Sequence, residues 1–176
     1  MNIWLRIIIT FVKSFFRPRI APTDVLQTRM MVGPTEADLK YVSNARYLLF
    51  MEIGRLEMML RTGIYSSARK KHWLPLVASQ MVRYEKPLRR FDRFILKSRL
   101  AAWDDRWFFI EHKIERDGKL MVFALAKVCF RGPEGVVSPI RAFAELGATT
   151  TPTALPAYAS RWEESEGLLR SAVDSL

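Results

Sequence analysis

The chain has 176 residues, and its hydrophobic share of 49% is enough for one domain with a sizeable core and some extensions. Its formal net charge of +10 favours an anionic partner, but the basic residues form no recognisable nucleic-acid module, so we expect no nucleic-acid binding. Spacings such as His-x-x-x-His or Cys-x-x-Cys and glycine-rich phosphate loops are absent from the sequence, so we expect neither a metal nor another cofactor. The single cysteine, Cys129, excludes an internal disulfide and is predicted to be a buried, inert thiol.

Residues 1–19 predict an amphipathic helix. Arg6, Thr10, Lys13 and Arg17 share one helical face, and the apolar run between them is shorter than the roughly 20 residues that span a bilayer. The other face carries Trp4, Ile7, Ile8, Phe11 and Phe15. This pattern is typical of a helix in the membrane interface with its basic residues towards anionic lipid, so we expect a cytoplasmic protein peripherally associated with the membrane. Packing of this helix on its own domain is the alternative.

A strand is predicted from Asp24 to Val32, followed by a loop that begins at Glu36 and by one long helix. Apolar residues cover most of the circumference of this helix, so we expect other structure to wrap around it. Gly54 lies in its middle at a cost of about 1 kcal/mol relative to alanine, which indicates that another element approaches its backbone closely. Gly63 suits the left-handed position that comes after a helix end.

Four further strand patterns come after the helix and predict a meander. They cover Trp73 to Tyr84, Phe91 to Trp103, Arg106 to Arg116 and Lys119 to Arg131. Pro75 should confine the first ladder to its later part, and Asp117-Gly118 is a strong two-residue hairpin signal. His112 lies on an apolar strand face and is predicted to be a packed histidine.

The C-terminal part is predicted to be helical. A loop is predicted for residues 132–137, and Ser138-Pro139 and Gly147 bracket a short helix. A connector from residue 148 leads to a last helix that begins at the capping box of Ser160. The segments are residues 1–19, an interface helix; 23–147, the main domain; and 148–176, a linker and helix. The order predicts an α+β fold, with an antiparallel sheet of about five strands wrapped around one long central helix and helical extensions at both ends.

Asp38 followed by Asn44-Ala45-Arg46-Tyr47 resembles the signature of the hotdog-fold acyl-CoA thioesterases of the 4-hydroxybenzoyl-CoA thioesterase type. The chain is more similar to the membrane-anchored proteins of the thioesterase superfamily, which share an apolar N-terminus, Asn-Ala-Arg-Tyr-Leu and Trp-Asp-Asp; the last of these stands here at 103–105. The likeness covers roughly residues 30–139. The chain departs from the pattern in the loop before the helix, where no histidine lies between Asp38 and Asn44 and Ser43 replaces an asparagine.

The resemblance implies a hotdog fold and a site at the start of the long helix. Asp38 would activate water or attack the thioester, while backbone N–H groups near Asn44 would polarise its carbonyl. Ala45, Arg46 and Tyr47 would contact the substrate. Glu52, about two turns along the same helix face, is a second candidate for the catalytic carboxylate; pairing with Arg55 or across a dimer is its alternative role.

The function that the resemblance implies is hydrolysis of fatty or aromatic acyl-CoA to the free acid and CoA, in a homodimer near the inner membrane face. The alternative is a non-catalytic hotdog protein that binds acyl groups or acts as a scaffold at the membrane.

Overall fold

The computed structural model describes residues 3–38, 40–148 and 153–174. Its helices are α1 (Ile3–Phe15), α2 (Asn44–Thr62), α3 (Ile64–Lys70), α4 (Pro139–Ala144) and α5 (Ala157–Asp174). Its strands are β1 (Leu26–Met31), β2 (Ala37–Asp38), β3 (Tyr41–Val42), β4 (Leu74–Tyr84), β5 (Arg93–Trp103), β6 (Phe108–Arg116), β7 (Lys119–Gly132) and β8 (Gly135–Val137).

The main sheet is antiparallel and six-stranded, in the order β1-β5-β6-β7-β4 with β8 paired to β7, and β2 and β3 form a separate hairpin. On one face of the sheet, Phe50 and Met51 of α2 pack into a core cluster with Phe94, Leu96 and Ile114. The predicted architecture, an antiparallel hotdog sheet around one long helix, is confirmed. It has six strands rather than about five because β8 adds a short one.

The opposite face of the sheet is covered by the C-terminal helix. Ala159 of α5 is fully buried and packs with Phe109 and Leu125. Tyr158 donates a hydrogen bond from its hydroxyl to Glu111 Oε2 over 2.9 Å. The connector predicted from residue 148 lies partly outside the described residues.

The long helix begins at Asn44, near where the family resemblance places its start, and ends at Thr62, before Gly63, as its sequence pattern predicts. Gly63 has a φ of 85° and its N–H donates to the carbonyl of Leu60, which confirms the left-handed end. The short helix α3, which starts at the next residue, Ile64, was not predicted from the sequence.

Three boundary predictions were wrong for local reasons. Pro75 does not shorten its ladder: β4 begins at Leu74 and Pro75 pairs with Phe130, which an edge strand tolerates. Residues 132–137 are not a loop throughout, because Gly135–Val137 pairs back on β7 as β8. The last helix begins at Ala157, before the predicted cap at Ser160.

The N-terminal helix α1 turns part of its basic face towards the domain. Arg6 is only 6% exposed, and its Nη2 lies 2.5 Å from Glu36 Oε2. Arg17 Nη1 lies 2.5 Å from Oε1 of the buried Glu57. The outer face is apolar, with Trp4 68% and Phe15 72% exposed. For Arg6 the predicted orientation towards lipid is therefore wrong, because it pairs with a carboxylate that the domain buries and that needs a positive partner.

Gly54 lies where α2 crosses β5. A Cβ built on Gly54 would lie 2.7 Å from both Leu96 Cδ2 and Ser98 Oγ. The predicted close approach is thus confirmed, and it explains why a residue with poor helix propensity stands inside the central helix.

Substitution of Gly54 by alanine should destabilise the protein by about 1–3 kcal/mol, because the overpacked Cβ outweighs the gain in helix propensity. Gly167→Ala in α5 is the matched control, since nothing lies within 4 Å of its added Cβ, and it should stabilise by up to about 1 kcal/mol. Urea unfolding of both variants measures the difference. If Gly54→Ala proves as stable as the wild type, the packing of α2 on β5 is looser than described.

Candidate active site

The start of α2 offers backbone donors to the solvent. Ser43 precedes the helix with extended dihedral angles, and within the described residues its side chain makes no capping hydrogen bond. The first N–H groups of a helix have no intrahelical acceptor, and Asn44 and Ala45 are exposed there. The half-buried Arg46 donates its own N–H to the Ser43 carbonyl over 3.0 Å.

Along the chain, Asp38 precedes this helix start, and Tyr47 lies in the first turn of the helix. Asp38 is exposed in the small hairpin, where it pairs with Tyr41. Tyr47 is only 2% exposed, packs against Phe50, and accepts a hydrogen bond at its hydroxyl from the Leu88 N–H over 2.7 Å. Burial raises the pKa of the Tyr47 hydroxyl. The structure thus gives the Tyr47 ring a packing role, and its part in substrate binding stays a prediction.

A cavity of about 390 Å³ opens further along α2, between α2, α3, α4 and the sheet. Its walls are mostly apolar, and they include Leu56, Met59, Leu100, Ile110, Phe143 and the thiol-bearing Cys129. Burial raises the pKa of the Cys129 thiol, which agrees with the predicted inert cysteine. The size and apolar lining suit an alkyl or aryl group.

Two charged side chains of α2, Glu52 and Arg55, also line this cavity and form an ion pair. The Glu52 side chain is 60% exposed, whereas that of Arg55 is 9% exposed. Asp38 and Asn44 are not among the lining residues. Asn44 precedes Glu52 by eight residues, which places the helix start about 12 Å away along the axis. The structure therefore separates the predicted catalytic residues into two places within one chain.

Arg55 also contacts a buried histidine of the sheet, which in turn contacts a buried serine. Its Nη1 lies 3.3 Å from His112 Nε2, and His112 Nδ1 lies 2.8 Å from Ser98 Oγ. Ser98 and His112 are direct partners in the ladder between β5 and β6, and both are fully buried. Because a guanidinium only donates, His112 must accept at Nε2 and donate its Nδ1–H to Ser98. Burial, with the positive charge of Arg55 beside it, holds the pKa of His112 well below its usual value.

These contacts link four side chains in series from the core to the cavity wall. We call this series the polar relay: Ser98, His112, Arg55 and Glu52. The packed histidine is confirmed, and so is the pairing of Glu52 with Arg55. The link between the two was not predicted from the sequence. The available signal was the presence of two charges, Glu52 and Arg55, on a helix predicted to be wrapped, because buried charges need partners.

Stability should fall by about 1 kcal/mol between pH 7 and 5.5 because of His112. The folded chain keeps this imidazole neutral, whereas the unfolded chain takes up a proton below a pKa of about 6.5, so protons favour unfolding there. The pKa values of Glu36 and Glu111 are also lowered, but these shifts change the stability only below about pH 4.5, which is the ordinary pKa of a glutamate. Urea titrations at several pH values should show this slope in the wild type and in the exposed control His72→Asn, but not in His112→Gln. An unchanged slope in His112→Gln would contradict the assignment.

The described residues contain no group of three or more His, Cys, Asp or Glu side chains that could hold a metal ion. What the site offers is a carboxylate, a guanidinium and an apolar cavity at one place, and exposed helix-start N–H groups at another. A carboxylate of this kind can take a proton from water, and N–H donors can stabilise an oxyanion.

Sequence comparison assigns a family to the domain with this fold. The sequence profile of the Thioesterase-like superfamily matches residues 32–140, more than half of the chain. The chain belongs to this superfamily. Protein THEM6 of Xenopus laevis is 28% identical over 103 residues, which are 55% of this chain and 50% of that protein. The match thus spans about half the length of that relative.

Solved structures share the fold. YbaW, a probable thioesterase from Escherichia coli, has a TM-score of 0.63 at 19% identity, over 69% of this chain and 95% of that chain. A mutant of 4-hydroxybenzoyl CoA thioesterase, complexed with 4-hydroxybenzoyl CoA, also has a TM-score of 0.63, at 12% identity, over 70% of this chain and 99% of that chain. At these identities the likeness shows the fold alone, which is the hotdog fold that the sequence predicts.

Proposed function

We propose that this protein is an acyl-CoA thioesterase that hydrolyses fatty or aromatic acyl-CoA to the free acid and CoA. The observation that carries the proposal is the Glu52–Arg55 pair in the wall of a mostly apolar cavity of about 390 Å³. The membership of the Thioesterase-like superfamily supports it.

In the proposed reaction the acyl group lies in the apolar cavity with its thioester near Glu52. Glu52 takes a proton from a water molecule, and the water oxygen forms a bond to the carbonyl carbon. The resulting oxyanion is stabilised by N–H donors, and its collapse breaks the C–S bond and releases the CoA thiolate. The proton held by Glu52 then neutralises the thiolate, so that the carboxylate is restored.

The geometry favours Glu52 over Asp38 as the carboxylate. Asp38 is exposed in the hairpin and lies outside the cavity lining, while Glu52 lines the cavity and is fixed by the polar relay. Asn44 and the N–H groups beside it lie about 12 Å from Glu52 along α2. Both could act on one carbonyl only if a second protomer brought its helix start to this cavity.

A homodimer is therefore part of the proposal. β4 is an edge strand with a single neighbour, and it exposes Leu74, Leu76, Val77 and Tyr84. An exposed apolar edge strand pairs readily with a second copy. Sedimentation equilibrium should give about twice the chain mass of 20.5 kDa; a mass near that of one chain would contradict the dimer.

The second candidate is an acyl-binding protein without hydrolysis. It is favoured by the ion pair itself, because Arg55 neutralises Glu52. Thiol release from acyl-CoAs of several chain lengths, measured together with equilibrium binding, separates the two. Binding without thiol release from any acyl-CoA would establish the second candidate and overturn the first.

We also propose that α1 attaches the protein peripherally to a membrane in the cytoplasm. None of the described helices is long and apolar enough to cross a bilayer. The exposed outer face of α1, with Trp4, Ile8 and Phe15, supports insertion into the interface. Replacing these three residues by serine should abolish flotation with neutral vesicles and leave the Arg6–Glu36 pair intact. Unchanged flotation would place the attachment elsewhere.

A further inference from the structure

A second cavity, of about 550 Å³, lies between α1 and the corner that joins α2 to α3. Five basic residues line it, and we call it the basic groove: Arg17, Arg19, Arg61, Arg69 and Lys70. In the sequence these residues belong to two separate segments, the basic stripe of α1 with its continuation and the region around the end of the long helix. The tertiary structure brings these two segments together.

The charge of the basic groove is only partly balanced by the protein. The buried carboxylate of Glu57 lies 2.5 Å from Arg17 and 3.9 Å from Arg61. Among the described residues, Arg19, Arg69 and Lys70 have no ion pair, and all three are exposed. Three cations that converge on one concavity and have no ion pair among the described residues attract an anion strongly.

The groove is also preformed. The N–H of Ile20 donates to the carbonyl of Arg61 over 3.2 Å, and Arg61 Nε donates to the Pro18 carbonyl over 3.1 Å. These bonds tie the segment after α1 to the end of α2. Gly63, at a φ of 85°, leaves room for the guanidinium of Arg19, whose Nη1 would lie 3.1 Å from a Cβ at that position.

The rim towards α1 is aromatic rather than polar. Phe11 packs edge-on against both Phe15 and Tyr65, with ring centroids 5.2 and 5.6 Å apart. Phe15 lines the groove and is also exposed on the outer face of α1, and the next residue along the chain, Phe16, is exposed as well. An aromatic rim beside a cluster of cations suits a lipid, because a lipid places its phosphate next to apolar acyl chains.

We propose that the basic groove binds the phosphate of an anionic phospholipid while the apolar face of α1 lies in the membrane interface. Arg19, Arg69 and Lys70 donate hydrogen bonds to the phosphate, and Phe15 and Phe16 contact the acyl chains next to it. This site rests on the proposed attachment of α1 to a membrane. It is distinct from the acyl cavity, although Tyr65 and Arg69 lie in the wall between the two.

The test is flotation of the full chain with two kinds of vesicle, phosphatidylcholine alone and phosphatidylcholine with one-fifth phosphatidic acid. The wild type should prefer the anionic vesicles by tenfold or more. The triple variant Arg19→Gln, Arg69→Gln, Lys70→Gln should lose most of this preference and keep its binding to phosphatidylcholine, because α1 is unchanged. A matched triple variant removes three exposed charges elsewhere, Arg29→Gln, Lys119→Gln and Arg131→Gln, and should stay within threefold of the wild type.

The other possible outcomes would overturn either the basic groove as a lipid site or the membrane attachment of α1. Equal binding of the wild type to both vesicles, or equal losses in the two triple variants, would overturn the groove and leave the attachment of α1 standing. Failure to bind either vesicle would overturn both. CoA serves as a soluble ligand that carries phosphates, and its binding is measured by calorimetry. If the triple variant of Arg19, Arg69 and Lys70 loses CoA binding but keeps its preference for anionic vesicles, the groove binds a soluble ligand and the lipid assignment is wrong.

Discussion

Replacement of Glu52 by glutamine is expected to slow thiol release by a factor of about 10²–10⁴, the usual contribution of a positioned general base. Glutamine has the same shape and can still accept a hydrogen bond from Arg55, but it cannot take a proton from water. The loss should therefore appear in kcat, while KM changes little because the apolar walls still hold the acyl group. Steady-state kinetics with an acyl-CoA that the wild type hydrolyses provides the measurement.

Two companion variants make this result decisive. Asp38→Asn should stay within a few-fold of the wild type, because Asp38 lies outside the cavity lining. Asn44→Ala should have a modest effect at most, since the backbone N–H groups of the helix start remain. If Asp38→Asn is inactive while Glu52→Gln turns over normally, the carboxylate that the family resemblance implies is the catalytic one and the geometric assignment is wrong.

The second large effect is expected for stability, where Arg6→Ala should cost about 3–5 kcal/mol. Both side chains of the pair are buried, and Arg6 also donates to the Met31 carbonyl over 2.6 Å. Burial alone would raise the pKa of Glu36, but hydrogen bonds from Arg6 and from the Gly33 N–H hold it below its usual value. Without Arg6, a buried carboxylate would remain without its guanidinium, which is the costly arrangement. Denaturant unfolding measures the difference at pH 7.

Arg83→Ala is the control for this prediction. It removes an arginine that also pairs with a glutamate, Glu85, but its side chain is 76% exposed, so the loss should be at most about 1 kcal/mol. Adding Glu36→Gln to Arg6→Ala should recover part of the loss, because the buried negative charge is then removed. A loss below about 1 kcal/mol for Arg6→Ala would mean that α1 is not held to the domain by this pair.

The elements that the sequence predicted well are those set by local signals. The Asp117-Gly118 turn has φ values of 51° and 71°, as a two-residue hairpin requires, and Ser138 Oγ accepts from the Arg141 N–H at the start of α4. β8 was missed because three residues are too few to show an alternating pattern. α5 began earlier than predicted because its first turn is supported by packing of Ala159 on the sheet rather than by a capping box.

For the candidate site, the sequence by itself determined the central helix, its end before Gly63 and the presence of Glu52 on it, while the family resemblance placed its start near Asn44. These features depend on helical periodicity and on residues that are near one another along the chain. The partners of the charged residues were decided only by the tertiary structure, since Arg55 meets His112 across 57 positions and Arg6 meets Glu36 across 30. The same holds for the orientation of α1. An amphipathic pattern shows that a helix has two different faces, but which face meets the domain depends on whether buried carboxylates such as Glu36 and Glu57 lie opposite its cations.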